Sequence, residues 1–480
     1  MTSTPKLLLA ALAGLALAGC AVEAQPRGQA GVARAERPNI LFILVDDLGY
    51  ADFSVTGNKR VSTPNIDRLA AEGLLMEQFT VAAPICSPSR AAFMTGRFPA
   101  ELGFVSYIDS RRRNREMAQA DWLDPKLPTM PAALRRVGYA TGHFGKWHLG
   151  GGRDIGDAPL PTAYGFDESF TQFEGLGPRV LLTENTADFS TQSTALGQGP
   201  ITRAPKAALT GMYVDRTLDF VSRNRRQPWF AQLWLDDVHD PWHPSAEQLA
   251  AVRGKGRTEA EKRFFAVLVG MDAQIGRLVE GLRRRGELDG TLIVLTGDNG
   301  PVASPQYYRG GAEPPGDTGG LRGRKGSLYE GGVREPLIVR WPGRVPAGRR
   351  SGATAANAVD LFPTLAQITG AATPTGADGV SLAQAWRGAP IASRPDLYYA
   401  YGGFGVQGKS PQVHLARDRS PPFAIRSGDW KLLARGDGAE PELYNIAEDP
   451  DESDNLAGQR ADIVRALTPK LVAWRRSLPQ

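Results

Sequence analysis

The sequence predicts an α/β fold: a large, mainly parallel or mixed sheet flanked by helices, with a small C-terminal antiparallel sheet plus a helix. Three observations predict it. Continuous apolar runs of strand length, such as Asn39–Val45 (NILFILV) and Trp229–Leu235 (WFAQLWL), suit strands buried on both faces. Helical spacing lies between such runs, clearest in Phe264, Leu268, Met271, Ile275, Leu278 and Leu282. Strands alternating with amphipathic helices imply a mainly parallel sheet. Near residue 391 the texture changes to short strands separated by turns, ending in a helix.

The elements follow in order. Asn39–Val45 ends in Asp46-Asp47-Leu48-Gly49. Thr63-Pro64 opens a helix through Ala71, with Thr63 as N-cap, Pro64 at the first helical position and Gly73 as stop. Tyr139–Phe144 forms a strand ending in Gly145-Lys146-Trp147-His148, and Trp229–Leu235 ends in Asp236-Asp237-Val238-His239. The helix through Phe264 and Leu282 stops before Gly286. Leu292–Thr296 then ends in Gly297-Asp298-Asn299-Gly300, and Leu337–Arg340 is a further strand. Residues 173–210 and 301–320 lack periodicity, read as long loops and are assigned to ligand recognition. In the tail, Asp396–Tyr401, Phe423–Ile425, Trp430–Leu433 and Glu442–Ile446 read as strands and Ile463–Trp474 as the terminal helix. This divides the chain into a leader and linker (1–36), a main domain (37–390) and a C-terminal subdomain (391–480).

Four strands thus end in polar clusters of different chemistry. In open α/β sheets, ligands bind beyond the carboxyl ends of strands. One such cluster is ordinary turn chemistry; four together are better explained by a shared site.

A net charge of +5 over 480 residues suits an anionic small substrate and does not argue for nucleic acid. The two cysteines, Cys20 and Cys86, exclude a disulfide scaffold and a Cys-rich zinc site. Leu7–Gly19 is an apolar run after Lys6, too short for a stable bilayer anchor and suited to a secretory leader. It ends in Leu17-Ala18-Gly19-Cys20, which resembles a bacterial lipobox; cleavage after Ala24 is the alternative. The expectation is an exported, periplasmic lipoprotein anchored through Cys20. Cys86 then has no thiol partner in an oxidising compartment, where it must be buried or chemically altered.

The segment around it reads Cys86-Ser87-Pro88-Ser89-Arg90. Pro88 can open a helix, placing Cys86 beside an N-terminus whose free N–H groups favour an anion. Cys-x-Pro-Ser-Arg resembles the signature of the type I sulfatases, the formylglycine-dependent, arylsulfatase-like members of the alkaline phosphatase superfamily. Asp46-Asp47, Gly145-Lys146-Trp147-His148-Leu149-Gly150, Val238-His239-Asp240-Pro241 and Thr296-Gly297-Asp298-Asn299-Gly300 resemble the family's segments in its order. So do the run Leu321–Arg334, Ile425–Leu432 and Glu442–Asn445, and the likeness spans about Pro38 to Leu456.

The resemblance implies hydrolysis of aryl or carbohydrate sulfate monoesters. The nucleophile would be the hydrate of a formylglycine made from Cys86 by a maturation enzyme. It implies Asp46, Asp47, Asp298, Asn299 and modified Cys86 as ligands of Ca²⁺, with Mg²⁺ possible, and an all-oxygen set suits those hard cations. It makes Arg90 and Lys146 the groups that hold the hydrate and its charge, and His148 the base for sulfate release. Lys325 and His239 would bind sulfate oxygens, one of them protonating the leaving alcohol. On residue chemistry alone, without the resemblance, Asp46-Asp47 reads as a capped turn after a strand and Asp298-Asn299-Gly300 as a loop. His143 reads as packed, His243 as a loop residue or a substrate contact, and Arg111-Arg112-Arg113 as a solvated face. Trp147 and Trp242 read either as core or as stacking platforms. Two other readings compete: a phosphonate monoester or phosphodiester hydrolase on the same fold, and a non-catalytic lipoprotein that binds sulfated glycans.

Overall fold

In a computed structural model of the chain, Met1 and residues 37–184, 189–308, 313–391, 394–402, 413 and 415–479 are described. The leader, Cys20 and His414 lie outside the described residues. Among the described residues, fifteen strands form two sheets. In chain order the large sheet holds β1 (Asn39–Val45), β2 (Leu74–Thr80), β3 (Ala140–Lys146), β4 (Glu168–Gln172), β5 (Arg179–Leu182) and β6 (Ile201–Ala204). It continues with β7 (Trp229–Leu235), β8 (Thr291–Gly297), β9 (Arg334–Arg340), β10 (Arg349–Ser351) and β11 (Ala356–Asn357). Across the sheet the order is β10-β2-β9-β8-β1-β7-β3-β4-β5-β6, with β11 also on β2. β9 runs antiparallel to both neighbours and every other pair is parallel.

The apolar run of β1 explains its central place. Ile40, Phe42 and Leu44 point into one core with Phe93 and Met94, while Leu41, Ile43 and Val45 point into another with Phe264, Leu268, Met271 and Ile275. Side chains alternate across a strand, so a strand covered by helices on both faces must be apolar throughout. The second face is covered by the 26-residue helix Glu259–Arg284, which starts at a Thr258 cap on the Glu261 amide. The small sheet is antiparallel, β12 (Leu397–Ala400), β13 (Phe423–Ser427), β14 (Trp430–Ala434) and β15 (Glu442–Asn445), with the helix Ala461–Ser477 against it. Trp474 of that helix stacks on Tyr398 at 4.9 Å and meets Phe98 edge-on at 6.2 Å. These contacts join the two layers through aromatic burial.

Three expectations are corrected. Residues 173–210 are not one loop: they carry β5, the helix Phe189–Ala195 and β6. Both strands have four residues, and the exposed Thr202 and Arg203 of β6 break the apolar pattern at the sheet edge. Thr63 sits at the N-cap position but does not cap; its hydroxyl accepts from the Ser54 amide and bonds Asp67. The helix of the cysteine motif, Cys86–Thr95, begins two residues before Pro88, so Cys86 is its first residue. Residues 301–320 hold a single short turn of helix, Pro305–Tyr307, among the described residues. Among the described residues no helix is long and apolar enough to cross a membrane.

Candidate active site

Parallel pairing brings the four polar strand ends to one edge. Val45 of β1 is level with Gly297 of β8 and Leu235 of β7. The next residues continue the ladder: the Asp46 amide donates to the Leu235 carbonyl at 2.9 Å and the Asp298 amide to the Val45 carbonyl at 3.0 Å. Asp46, Asp47, Asp298 and Asn299 therefore meet, each buried. Asp47 adopts a left-handed backbone, φ 58°, and its amide donates to Asp298 Oδ1 at 3.2 Å. β3 delivers Lys146, whose ammonium pairs with Asp46 Oδ2.

Cys86 enters from the opposite side as the first residue of its helix. Its Sγ is 3.3 Å from Asp46 Oδ1 and 3.6 Å from Lys146 Nζ. Ile85 precedes it without a side-chain cap, which leaves first-turn amides available to negative charge. Burial, reinforced by Asp46, pushes the thiol up to about 12. An unmodified Cys86 is a poor nucleophile here, since the thiolate is the reactive form. Arg90, one turn on, places Nε 2.9 Å and Nη2 2.7 Å from Asp298 Oδ2, with Nη1 on the Lys146 carbonyl. Lys325 closes the cleft, its Nζ 2.6 Å from Asp47 Oδ1.

Three buried carboxylates, Asp46, Asp47 and Asp298, face three buried or nearly buried cations, Arg90, Lys146 and Lys325. Burial drives Asp46 up, but Lys146, His239, Arg90 and Lys325 together hold it well below the usual carboxylate range. Burial and neighbouring Asp46 push Asp298 to about 7. Such crowding is the situation a divalent cation relieves. Asn299 gives a second sign. Its Nδ2 donates to Asp47 Oδ1 at 2.8 Å and to the Gly300 carbonyl, while its buried Oδ1 has no hydrogen-bond partner. Donor atoms of Asp46, Asp47, Cys86 and His239 lie within 4.8 Å of one another. Carboxylate and amide oxygens at this spot fit a hard cation.

Both motif histidines reach the cleft. His148 follows β3 with φ 53°, and its Nε2 is 3.2 Å from the Ile108 carbonyl. A carbonyl only accepts, so Nε2 carries the proton and the buried, unpartnered Nδ1 carries the lone pair. Burial and nearby Lys146 and Arg90 hold the ring neutral. His239 Nδ1 is 2.6 Å from the Asp240 carbonyl, which turns Nε2 toward Asp47, 3.7 Å away. Cys86, Tyr107, His148, Phe173, His239 and Lys325 line a cleft of about 290 Å³. A chamber of about 420 Å³ adjoins it past Phe173 and His239. A larger cavity, about 910 Å³, lies between Arg60, Asp317 and Arg417 and touches none of the motif carboxylates, lysines or histidines, so size does not mark the site.

His143 is packed, bonded to Gln232 and enclosed by Trp147, Phe166 and Trp234. Trp147 and Trp242 are core residues, and His243 lines neither cleft nor chamber. Arg111, Arg112 and Arg113 pair with surface acids. Sequence reasoning missed Tyr107 and Glu174, which line the site from segments without motif character. Glu330, inside the run Leu321–Arg334, was assigned no task. That residue lies in a buried ion cluster with Arg334 and Lys431.

The comparisons agree with this geometry. Residues 38–371 match the Sulfatase family, and residues 324–477 match the family "N-sulphoglucosamine sulphohydrolase, C-terminal". The chain is 33% identical to N-acetylgalactosamine-6-sulfatase of Canis lupus familiaris over 378 residues, covering 75% of this chain and 68% of that one. It is 31% identical to human arylsulfatase A over 470 residues, covering 91% and 88%. The crystal structure of Ps i-CgsB in complex with k-i-k-neocarrahexaose matches with a TM-score of 0.75 at 27% identity, covering 92% of this chain and 94% of that one. Fold and comparisons together define a sulfuric ester hydrolase on an alkaline phosphatase-like scaffold. The chain belongs to the sulfatase family.

Proposed function

We propose that this enzyme hydrolyses sulfate monoesters of carbohydrates or aryl alcohols, with Cys86 matured to formylglycine and a divalent cation, Ca²⁺ ahead of Mg²⁺. Asp46, Asp47, Asp298, Asn299 and residue 86 would hold the cation. The carrying observation is a buried Cys86 at the start of a helix, in contact with Asp46 and Lys146. The names of its relatives support the ester class: one set acts as N-acetylgalactosamine-6-sulfatase and another as arylsulfatase A.

When present, the hydrated aldehyde supplies an oxygen nucleophile, and the cation supplies positive charge for that oxygen and for the sulfate. The rest falls to side chains of this chain. Lys146 stabilises negative charge at position 86, and Arg90 fixes Asp298 beside it. Lys325 and His239 face the cleft and bind sulfate oxygens, and one of them gives a proton to the departing alcohol. His148 Nδ1 accepts the proton whose removal drives sulfate release. Its orientation follows from the Ile108 carbonyl bond. Outside the site, the leader and Cys20 support export to the periplasm and anchoring by a lipid.

Peptide mass spectrometry of protein co-produced with a maturation enzyme tests the nucleophile. An aldehyde at position 86 is expected; an unmodified thiol in a fully active preparation refutes it. A panel of sulfated saccharides and aryl sulfates then identifies the ester. Faster hydrolysis of nitrophenyl sulfate than of phenyl phosphonate separates this activity from the phosphonate alternative.

A further inference from the structure

The loop that carries Lys325 is fastened from two directions. Toward the cleft, the Lys325 amide donates to the Pro301 carbonyl at 3.0 Å and the Gly326 amide to the Pro84 carbonyl at 2.8 Å. Pro301 lies two residues past Asn299, and Pro84 two residues before Cys86. Away from the cleft, the same segment is held by the C-terminal part of the chain. The Leu328 amide donates to Ser420 Oγ at 2.8 Å, and the Tyr329 hydroxyl to Glu442 at 2.5 Å. Glu330 is the centre of this second attachment. Its Oε1 is 2.8 Å from Lys431 Nζ, its Oε2 2.7 Å from Arg334 Nε, and its amide donates to Glu452 Oε2 at 2.5 Å. Lys431 also lies 3.0 Å from Glu452 Oε1. Lys431, Glu330 and Glu452 are fully buried, and Lys431 is the second residue of β14.

The segment between Lys325 and Glu330 is not slack. The Gly331 amide donates to the Arg322 carbonyl at 2.7 Å, folding the loop back on itself. A Cβ at Gly332 would lie 2.0 Å from the Ser327 carbonyl oxygen, so the backbone packs too closely here for any side chain. Lys325 and Glu330 thus stand on one closely packed, folded-back loop.

We propose that Lys431 is a positioning residue: the buried Lys431–Glu330–Glu452 cluster lets the C-terminal sheet set where Lys325 meets the sulfate group. Lys431 touches no substrate and acts through Glu330. The proposal rests on the reading that Lys325 binds sulfate, and the test separates the two.

The measurement is competitive inhibition by inorganic sulfate, with kcat and KM for nitrophenyl sulfate, on the matured full-length enzyme. Lys325→Ala, Lys431→Met and the double variant form a cycle. Lys431→Met is expected to weaken sulfate binding about tenfold alone and less than about twofold in the Lys325→Ala background, because contacting or coupled residues are non-additive. Lys431→Arg should restore sulfate affinity to within about threefold, since charge and reach are kept. Should Lys431→Met not fold, Ser420→Ala, which removes the C-terminal hydroxyl that holds Leu328 of the Lys325 loop, takes its place in the cycle. An equal loss in both backgrounds, or no loss alone, overturns the positioning role. Lys325→Ala with unchanged sulfate affinity instead overturns the sulfate-binding reading beneath it.

Discussion

Removing the Asp298 carboxylate should strip the site of its cation and loosen the fold at once, and the two effects are separable. Asp298 Oδ2 receives Nε and Nη2 of Arg90 at 2.9 and 2.7 Å, with both side chains fully buried. In Asp298→Ala, Arg90 keeps the Lys146 carbonyl and a longer approach of 3.6 Å to Asp46. Leaving one partner of a buried pair costs about 3–5 kcal/mol, which lowers the thermal midpoint by several degrees. The charge balance changes too: two carboxylates would then face Arg90, Lys146 and Lys325, so the site turns net positive and repels Ca²⁺. Asp298→Asn isolates the second effect, because it keeps an oxygen for the Asp47 amide while losing the charge. The assay is the thermal midpoint with and without chelator, alongside calcium content per chain. A ligand at a hundred times its Kd stabilises by about 2.7 kcal/mol, so the wild type should show a clear calcium-dependent shift. Both variants should lose most of it, together with turnover. A calcium shift of unchanged size in Asp298→Asn, with normal metal content, would refute the assignment.

The remaining predictions concern the nucleophile, the leader and pH. Cys86→Ser, made where serine is not oxidised, offers one hydroxyl and no second proton to drive release; it should turn over at most once and keep a sulfate on residue 86, and sustained turnover without a sulfated peptide contradicts this. Cys20→Ser should abolish lipidation and release active enzyme from membranes, whereas identical detergent partitioning of both forms counts against the lipobox. Asp237 is pushed to about 7 by burial, despite a bond from the Thr210 hydroxyl. Its folded pKa lies above the unfolded value, so the native state binds the extra proton, and stability falls as pH rises from about 4 to about 7. Asp237→Asn should flatten that fall and raise the unfolding midpoint at pH 8; an unchanged profile shows that Asp237 is not the source.

How much was legible depended on how local the cause was. β1, β7 and β8 were readable because burial on both faces favours apolar residues at most positions. The strand-end clusters were readable because parallel register brings such ends together, whatever lies between them in the chain. β5 and β6 were missed because each has only four residues, and β6, at the sheet edge, needs little apolar sequence. The start of the cysteine helix was misplaced by two residues because Pro88 is tolerated inside a first turn as well as at its first position. Tyr107 carried no signal at all, and Glu174 only its place in a stretch assigned to ligand recognition, since the fold alone brings them to the cleft and its chamber.

Lys431 shows the same limit at longer range. Its neighbours in sequence, Trp430 and Leu432, describe an ordinary strand. Nothing local says that the charge between them lies in the interior, 101 residues from the carboxylate it meets. A buried ion cluster of this kind is weak evidence for net stability, because desolvation offsets much of the attraction. What it does supply is a geometry that tolerates few alternatives: Glu330 has both oxygens and its amide committed to partners on three segments. On the proposed reading, in which Lys325 binds a sulfate oxygen, that kind of support from a rigid element would set its position. The C-terminal sheet, which brings none of the motif carboxylates or histidines, is therefore best understood as part of the active site's frame.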